Sequence, residues 1–91
     1  MITTTLSGDL IKEVVGQQIA TRKAVNAMND RIGWDTCKES DSINAGIVTV
    51  NTMLSHAKRL IRDSHHEAAI ELMTRMIKNL KDMQAAAAKI G

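Results

Sequence analysis

The side chains with the clearest chemical potential lie in one short basic stretch, over residues 56–66. Five of them could line a site for an anion: Lys58, Arg59, Arg62, His65 and His66. The stretch spans the end of one periodic segment and the start of the next. The free N–H groups of a helix N-terminus can hold a phosphate or a carboxylate. The spacing therefore predicts a binding site for a small anionic ligand at this turn.

A purely structural interpretation of the same stretch stays open beside it. Basic residues at a helix C-terminus stabilise the helix dipole without any ligand, and Lys58 and Arg62 lie at such a position. Asp63 and Glu67 can occupy the N–H groups that an anion would use. Charged turns are usually only solvated, so the structural interpretation is the stronger one.

The sequence contains no motif for metal binding, for nucleophilic catalysis or for a phosphate-binding loop. His65 and His66 are adjacent, so on a helix they point about 100° apart, whereas zinc needs three or four converging ligands. Cys37 is the single cysteine, and no local nucleophile signature joins it to a base and an acid. Neither glycine-rich phosphate-loop pattern occurs. We therefore expect no enzyme, no metal and no cofactor.

The charge balance argues against a nucleic-acid or membrane protein. The net charge is +2, which is too small for bulk attraction to DNA, and Trp34 is the only aromatic side chain available for base stacking. No apolar run is long enough to cross a bilayer, and the N-terminus lacks the pattern of a signal peptide. Together with a lone cysteine, these features predict a cytoplasmic protein in a reducing setting.

The composition and the apolar spacing predict an all-α chain. The 91 residues include no Pro, Phe or Tyr, yet 44% are hydrophobic. We predict a single helical domain over residues 1–91, with helices over about 7–32, 42–62 and 64–90 and a polar loop over 33–41. Ser7 and Ser64 are the predicted N-cap residues, and Gly33 is the predicted end of the first helix with Trp34 packed against its last turn. Whether the second and third helices are continuous stays open.

Each helix carries a heptad-like seam with apolar residues spaced alternately by three and four. The first helix carries Ile11, Val14, Gln18, Thr21, Val25, Met28 and Ile32, the second Ile47, Val50, Leu54, Ala57 and Ile61, and the third Ala69, Met73, Met76, Leu80, Met83, Ala87 and Ile90. Val15 and Ile19 widen the first stripe. Gly16 weakens the first helix by roughly 1 kcal/mol relative to Ala, so we expect a close approach there. Gln18 and Thr21 have two interpretations, as register-setting positions inside an interface or as solvent-facing residues at a bundle edge.

The predicted helix lengths favour self-association. A helix of about 26 residues is about 39 Å long, whereas a compact globule of this chain length is about 30 Å across. We therefore expect an elongated helical hairpin or three-helix bundle with a marginal core, which assembles into a helical oligomer. The residues predicted to form the oligomer or partner interface are Ile11, Val14, Gln18, Val25, Met28, Met73, Met76, Leu80 and Met83.

These features favour a small non-enzymatic protein that self-associates and acts by protein–protein interaction, as a regulator or inhibitor of another macromolecule. The alternative is an oligomer that sequesters anionic signalling nucleotides on the 56–66 turn, and a second alternative is a weak DNA-binding regulator. In size and helical architecture alone, the chain resembles small phage-encoded regulators, some of which inhibit host proteins and some of which sequester nucleotides. Charge reversal at Arg59 and Arg62 separates the hypotheses, because only nucleotide or DNA binding would be lost.

Overall fold

The chain folds as an elongated bundle of three helices. The computed structural model describes residues 2–33, 35 and 37–90, and the side chains from Gly8 onward. The helices are α1 (Ile2–Arg31), α2 (Lys38–Arg62) and α3 (His66–Lys89), and the described residues contain no strand. The Cα atoms extend over 47 × 16 × 13 Å. Helix α3 packs against both α1 and α2, whereas α1 and α2 contact each other least.

Helix α1 is longer at its start than the sequence predicts. It begins at Ile2, so Ser7 lies inside the helix and does not cap it. At the other end, Gly33 has a φ of 62° and its N–H donates to the Asp30 carbonyl at 3.2 Å, which confirms its predicted role in ending α1. The predicted contact of Trp34 lies outside the described residues. The expected close approach at Gly16 is wrong, because a Cβ there would meet nothing within 4 Å.

Helix α2 also begins earlier than predicted, at Lys38 and not near Asp41 or Ser42. Cys37 is the N-cap: the Ser40 N–H donates to the Cys37 Sγ at 3.5 Å, and the Cys37 N–H donates to the Ser40 Oγ at 2.9 Å. These reciprocal bonds form a capping box with a thiol in place of the usual hydroxyl. The predicted polar loop is therefore shorter than residues 33–41, because its last residues are helical.

A tight turn separates α2 from α3 and settles the question of their continuity. Ser64 has a φ of 65°, the His65 N–H donates to the Leu60 carbonyl at 2.8 Å, and the Ser64 N–H donates to the Ile61 carbonyl at 3.0 Å. This pattern is a Schellman motif with serine at the position that glycine usually holds. Ser64 therefore ends α2. The predicted N-cap of α3 at Ser64 is wrong, since His65 is the N-cap and makes no side-chain cap bond.

The three seams face one another inside the single chain. Among the side chains that the structure describes, twelve hydrophobic ones form the core: Val14, Val25, Met28, Ile43, Val50, Ala57, Ala69, Met73, Met76, Ile77, Leu80 and Ala87. The remaining apolar seam residues, among them Ile11 and Met83, are half-buried. Each seam thus finds its apolar partners within one copy of the protein.

Buried polar contacts fix how the helices align. Thr21 is 1% exposed, and its hydroxyl donates to the Leu80 carbonyl of α3 at 3.1 Å. Asn29 is 2% exposed and exchanges side-chain hydrogen bonds of 3.2 and 3.3 Å with Asn44 of α2. Polar pairs inside an apolar seam are satisfied in only one alignment, so they set the register. Thr21 is therefore a register position within the chain, whereas Gln18 lies half-buried at the bundle edge.

Candidate functional site

An open groove runs between α1 and α2, on the side that α3 leaves uncovered. Its volume is about 460 Å³. Eight residues line it: Val15, Gln18, Ile19, Arg22, Lys23 and Asn26 from α1, and Asn51 and Leu54 from α2. The groove exists because α1 and α2 each pack mainly against α3 and touch each other least. We call it the α1–α2 groove.

The wall formed by α1 is a second helical row beside the buried seam. Val15, Ile19, Arg22 and Asn26 are spaced by four, three and four residues, so they lie on one face of the helix. Val15 is 41% exposed and Ile19 is 53% exposed, although both side chains are apolar. Helix α1 therefore carries two apolar rows, of which the bundle covers one.

The opposite wall and the floor of the groove combine polar and apolar groups. The Gln18 Nε2 donates to the Asn51 Oδ1 at 2.9 Å, which joins α1 to α2 across the groove. Leu54 lies one turn further along α2 and is half-buried. Val48 is 66% exposed and lies one turn before Asn51, so it adds apolar surface close to this wall. The groove thus offers exposed apolar patches around one central polar pair.

The charged residues that line the groove, Arg22 and Lys23, are both cations. Within the described part of the chain, the ion pair that forms is Glu71–Arg75 on α3, with an N–O distance of 2.9 Å. Neither cation of the groove is therefore neutralised by a carboxylate of that part. The groove presents apolar side chains next to uncompensated positive charge.

The residues predicted to bind an anion do not converge on one concavity. Lys58, Arg59 and Arg62 are exposed near the C-terminal end of α2, where basic residues complement the helix dipole. A depression of about 480 Å³ at the α2–α3 turn is lined by residues 64–68, which include both predicted histidines and the carboxylate of Glu67 but none of the three cations. The anion site stays a prediction.

The two predicted histidines differ in their surroundings. His65 is exposed at the N-cap of α3, whereas His66 is half-buried and its Nδ1 has no hydrogen-bond partner. Elsewhere, His56 borders a separate depression with Glu71 and Arg75. Cys37 is an exposed free thiol at the start of α2. Across residues 2–33, 35 and 37–90, no three histidine, cysteine or acidic side chains are grouped as metal ligands.

The predicted interface residues lie mostly in the core of the single chain, and their role in an interface stays a prediction. Six of them are at most 2% exposed: Val14, Val25, Met28, Met73, Met76 and Leu80. Ile11, Gln18 and Met83 are half-buried, and of these Gln18 lines the α1–α2 groove. The surface open to a partner is therefore the row beside the predicted seam.

Of the eight residues that line the groove, the sequence predicted only Gln18 as a member of a site. The sequence signal that could have located the groove was the second row of α1, since the spacing from Val15 to Asn26 repeats the helical period.

We found no protein family, curated protein or solved structure to which this chain is similar. No helix among the described residues combines the length and the apolar character needed to cross a bilayer.

Proposed function

We propose that this protein is a small non-enzymatic helical protein that acts through protein–protein contact, as a regulator or inhibitor of another macromolecule. The α1–α2 groove is the contact surface in this proposal. The observation that carries it is the exposure of Val15 and Ile19 on one wall of the groove, at 41% and 53%, while the main seams are covered. An apolar groove between two helices is a surface into which an amphipathic helix can pack.

The arrangement of the bundle supports a helical partner. Helix α3 covers one side of the α1–α2 pair, and the groove lies on the other side. A helix in the groove would complete a four-helix bundle, with apolar residues spaced by three and four facing Val15, Ile19 and Leu54. Full burial of an aliphatic side chain contributes about 1.5–3 kcal/mol, so covering the exposed parts of Val15 and Ile19 would contribute roughly 2 kcal/mol.

The proposal allows self-association through an exposed face of the bundle. Because the seams are buried within the chain, a second copy can add apolar contact only at an exposed face, and the α1–α2 groove is such a face. A second copy and another protein would therefore compete for the same groove.

A cytoplasmic location belongs to the proposal and is supported by Cys37, an exposed thiol that has no second cysteine in the sequence to pair with.

A pull-down from cells of the source organism, followed by native mass spectrometry, tests the proposal. The bait is compared with a Val15→Glu, Ile19→Glu variant of the groove. The matched control carries Ala85→Glu and Ala88→Glu, which add the same charge at exposed positions of α3. We expect the unmodified protein and the control to retain the same defined complex, and the groove variant to lose it.

The masses also separate the occupants, because two copies of this 10.0 kDa chain differ in mass from a complex with another protein. A complex retained equally by the groove variant would contradict the proposal, as would an unmodified protein that retains no complex. Circular dichroism of all three proteins shows whether each substitution leaves the helices intact. The predicted anion site has its own test: Arg59→Glu with Arg62→Glu would abolish binding of a nucleotide at the α2–α3 turn, whereas Val15→Glu with Ile19→Glu would leave that binding unchanged.

A further inference from the structure

The helices that form the α1–α2 groove lack acidic residues along its whole length. Helix α1 has no Asp or Glu from Val14 to Asn29, and α2 has none from Ser42 to Arg62. These stretches include all eight residues that line the groove. The charge that they carry is positive, from Arg22 and Lys23 on α1 and from three basic residues near the end of α2.

Further positive charge lies beyond the lining residues, at one end of each edge. Lys12 lies three residues before the first lining residue of α1, and Lys58 lies four residues after the last lining residue of α2. Residues three or four apart are neighbours on a helix surface, so each lysine continues its edge by one turn. Both lysines are exposed. Glu13 is two residues before Val15 and therefore on a different face, whereas Asp30 lies four residues after Asn26 and ends the positive edge at the far end of α1.

From this pattern we infer that the occupant of the groove is an amphipathic helix of another protein with acidic residues on both sides of its apolar row. This inference rests on the proposed function and adds the chemistry of the partner. The apolar row would pack on Val15, Ile19 and Leu54, and its flanking carboxylates would lie beside Arg22 and Lys23. Complementary charge fixes orientation and speeds association, and it excludes basic partners.

The same observations argue against the other possible occupants. A nucleic acid would meet the cations, but its phosphates would also lie against the apolar wall formed by Val15 and Ile19. A second copy in symmetric contact would bring two cationic grooves together, and like charges across an interface are unfavourable. The central pair Gln18–Asn51, bonded at 2.9 Å, adds one detail, because a polar side chain of the partner would have to face it.

Two fluorescein-labelled peptides test the inference on the full chain by fluorescence anisotropy. Both are helix-forming, about five turns long, and carry the same leucine row at three- and four-residue spacing. One has glutamates on its flanks and the other has lysines. We expect the glutamate peptide to bind at least about tenfold more tightly, and the difference to shrink as NaCl rises from roughly 0.05 to 0.5 M.

A charge-reversed protein supplies the decisive comparison. Arg22→Glu with Lys23→Glu should invert the preference between the two peptides. The control, Lys78→Glu with Lys81→Glu, changes the net charge equally at exposed positions of α3 and should leave the preference unchanged. Equal binding of the two peptides, no binding of either, or inversion by the control as well would overturn the inference.

The peptide experiment and the pull-down distinguish failure of this inference from failure of the proposed function. If the pull-down finds a groove-dependent complex but the peptides show no charge preference, the acidic partner is wrong and the contact surface stands. If the groove-dependent complex has the mass of two copies of this chain, the occupant is a second copy and the inference is overturned. If no complex depends on the groove, the proposed function itself fails.

Discussion

Replacing Met76 by alanine tests whether the apolar seams pack against one another within one chain. Met76 is 0% exposed on α3 and belongs to the core cluster that contains Val14, Val50 and Leu80. Replacing a buried methionine by alanine costs about 2–5 kcal/mol, because the lost contacts leave a cavity. The unfolding entropy is about 2.1 cal/mol/K per residue, so a loss of about 3 kcal/mol should lower the Tm of this chain by about 15 °C.

The assay is thermal unfolding followed by circular dichroism, at roughly micromolar and at roughly hundredfold higher protein concentration. We expect Met76→Ala to lower the Tm equally at both concentrations, because the core lies inside one copy. Val48→Ala is the control: this side chain is 66% exposed, so the free energy of unfolding should change by less than about 0.5 kcal/mol. A negligible effect of Met76→Ala, or an effect that appears only at one of the two concentrations, would refute an intrachain core.

Three further substitutions test local features of the fold by the same assay. Ser64→Gly should stabilise the protein by about 1 kcal/mol, because Ser64 has a φ of 65° and glycine adopts this conformation without steric cost. Gly16→Ala should stabilise it by about 0.5–1 kcal/mol, because the position is inside α1 and a Cβ meets nothing within 4 Å. Arg31→Met should destabilise it by about 1 kcal/mol, because the Arg31 guanidinium donates to the carbonyls of Ala87 and Ile90 at the end of α3.

Each of these substitutions has a clear contrary outcome. A lower Tm for Ser64→Gly would contradict the Schellman motif between α2 and α3. Destabilisation by Gly16→Ala would show that another group does approach this face of α1. An unchanged Tm for Arg31→Met would show that the end of α3 does not depend on the guanidinium. Gly33→Ala provides a matched comparison for Ser64→Gly, since its φ of 62° predicts the opposite sign.

The helices and their inward faces could be predicted because they follow from the spacing of apolar residues. The rows through Val14 on α1 and Met76 on α3 repeat every three and four positions, and the bundle covers them. The helix ends depend instead on local polar geometry. The thiol of Cys37 acts as an N-cap, and Ser64 adopts a left-handed conformation, although neither residue type is the usual choice for its position.

The α1–α2 groove could not be located from the sequence for a different reason. Helix α1 carries two apolar rows, and the spacing alone does not show which row the other helices cover. That choice depends on how all three helices pack, since α3 contacts both neighbours more extensively than they contact each other. The row of Val15 and Ile19 was visible as a wide stripe, but its exposure became clear only in the assembled bundle.

Site-specific photo-crosslinking tests most directly whether the α1–α2 groove is an interaction surface. A benzophenone amino acid is placed at Ile19, and as a control at Ala85, an exposed position of α3. In cells of the source organism, we predict a discrete adduct from position 19 whose crosslinked peptide maps to an acidic amphipathic helix of another protein, and no such adduct from position 85. No adduct from position 19, or the same adducts from both positions, would contradict the account.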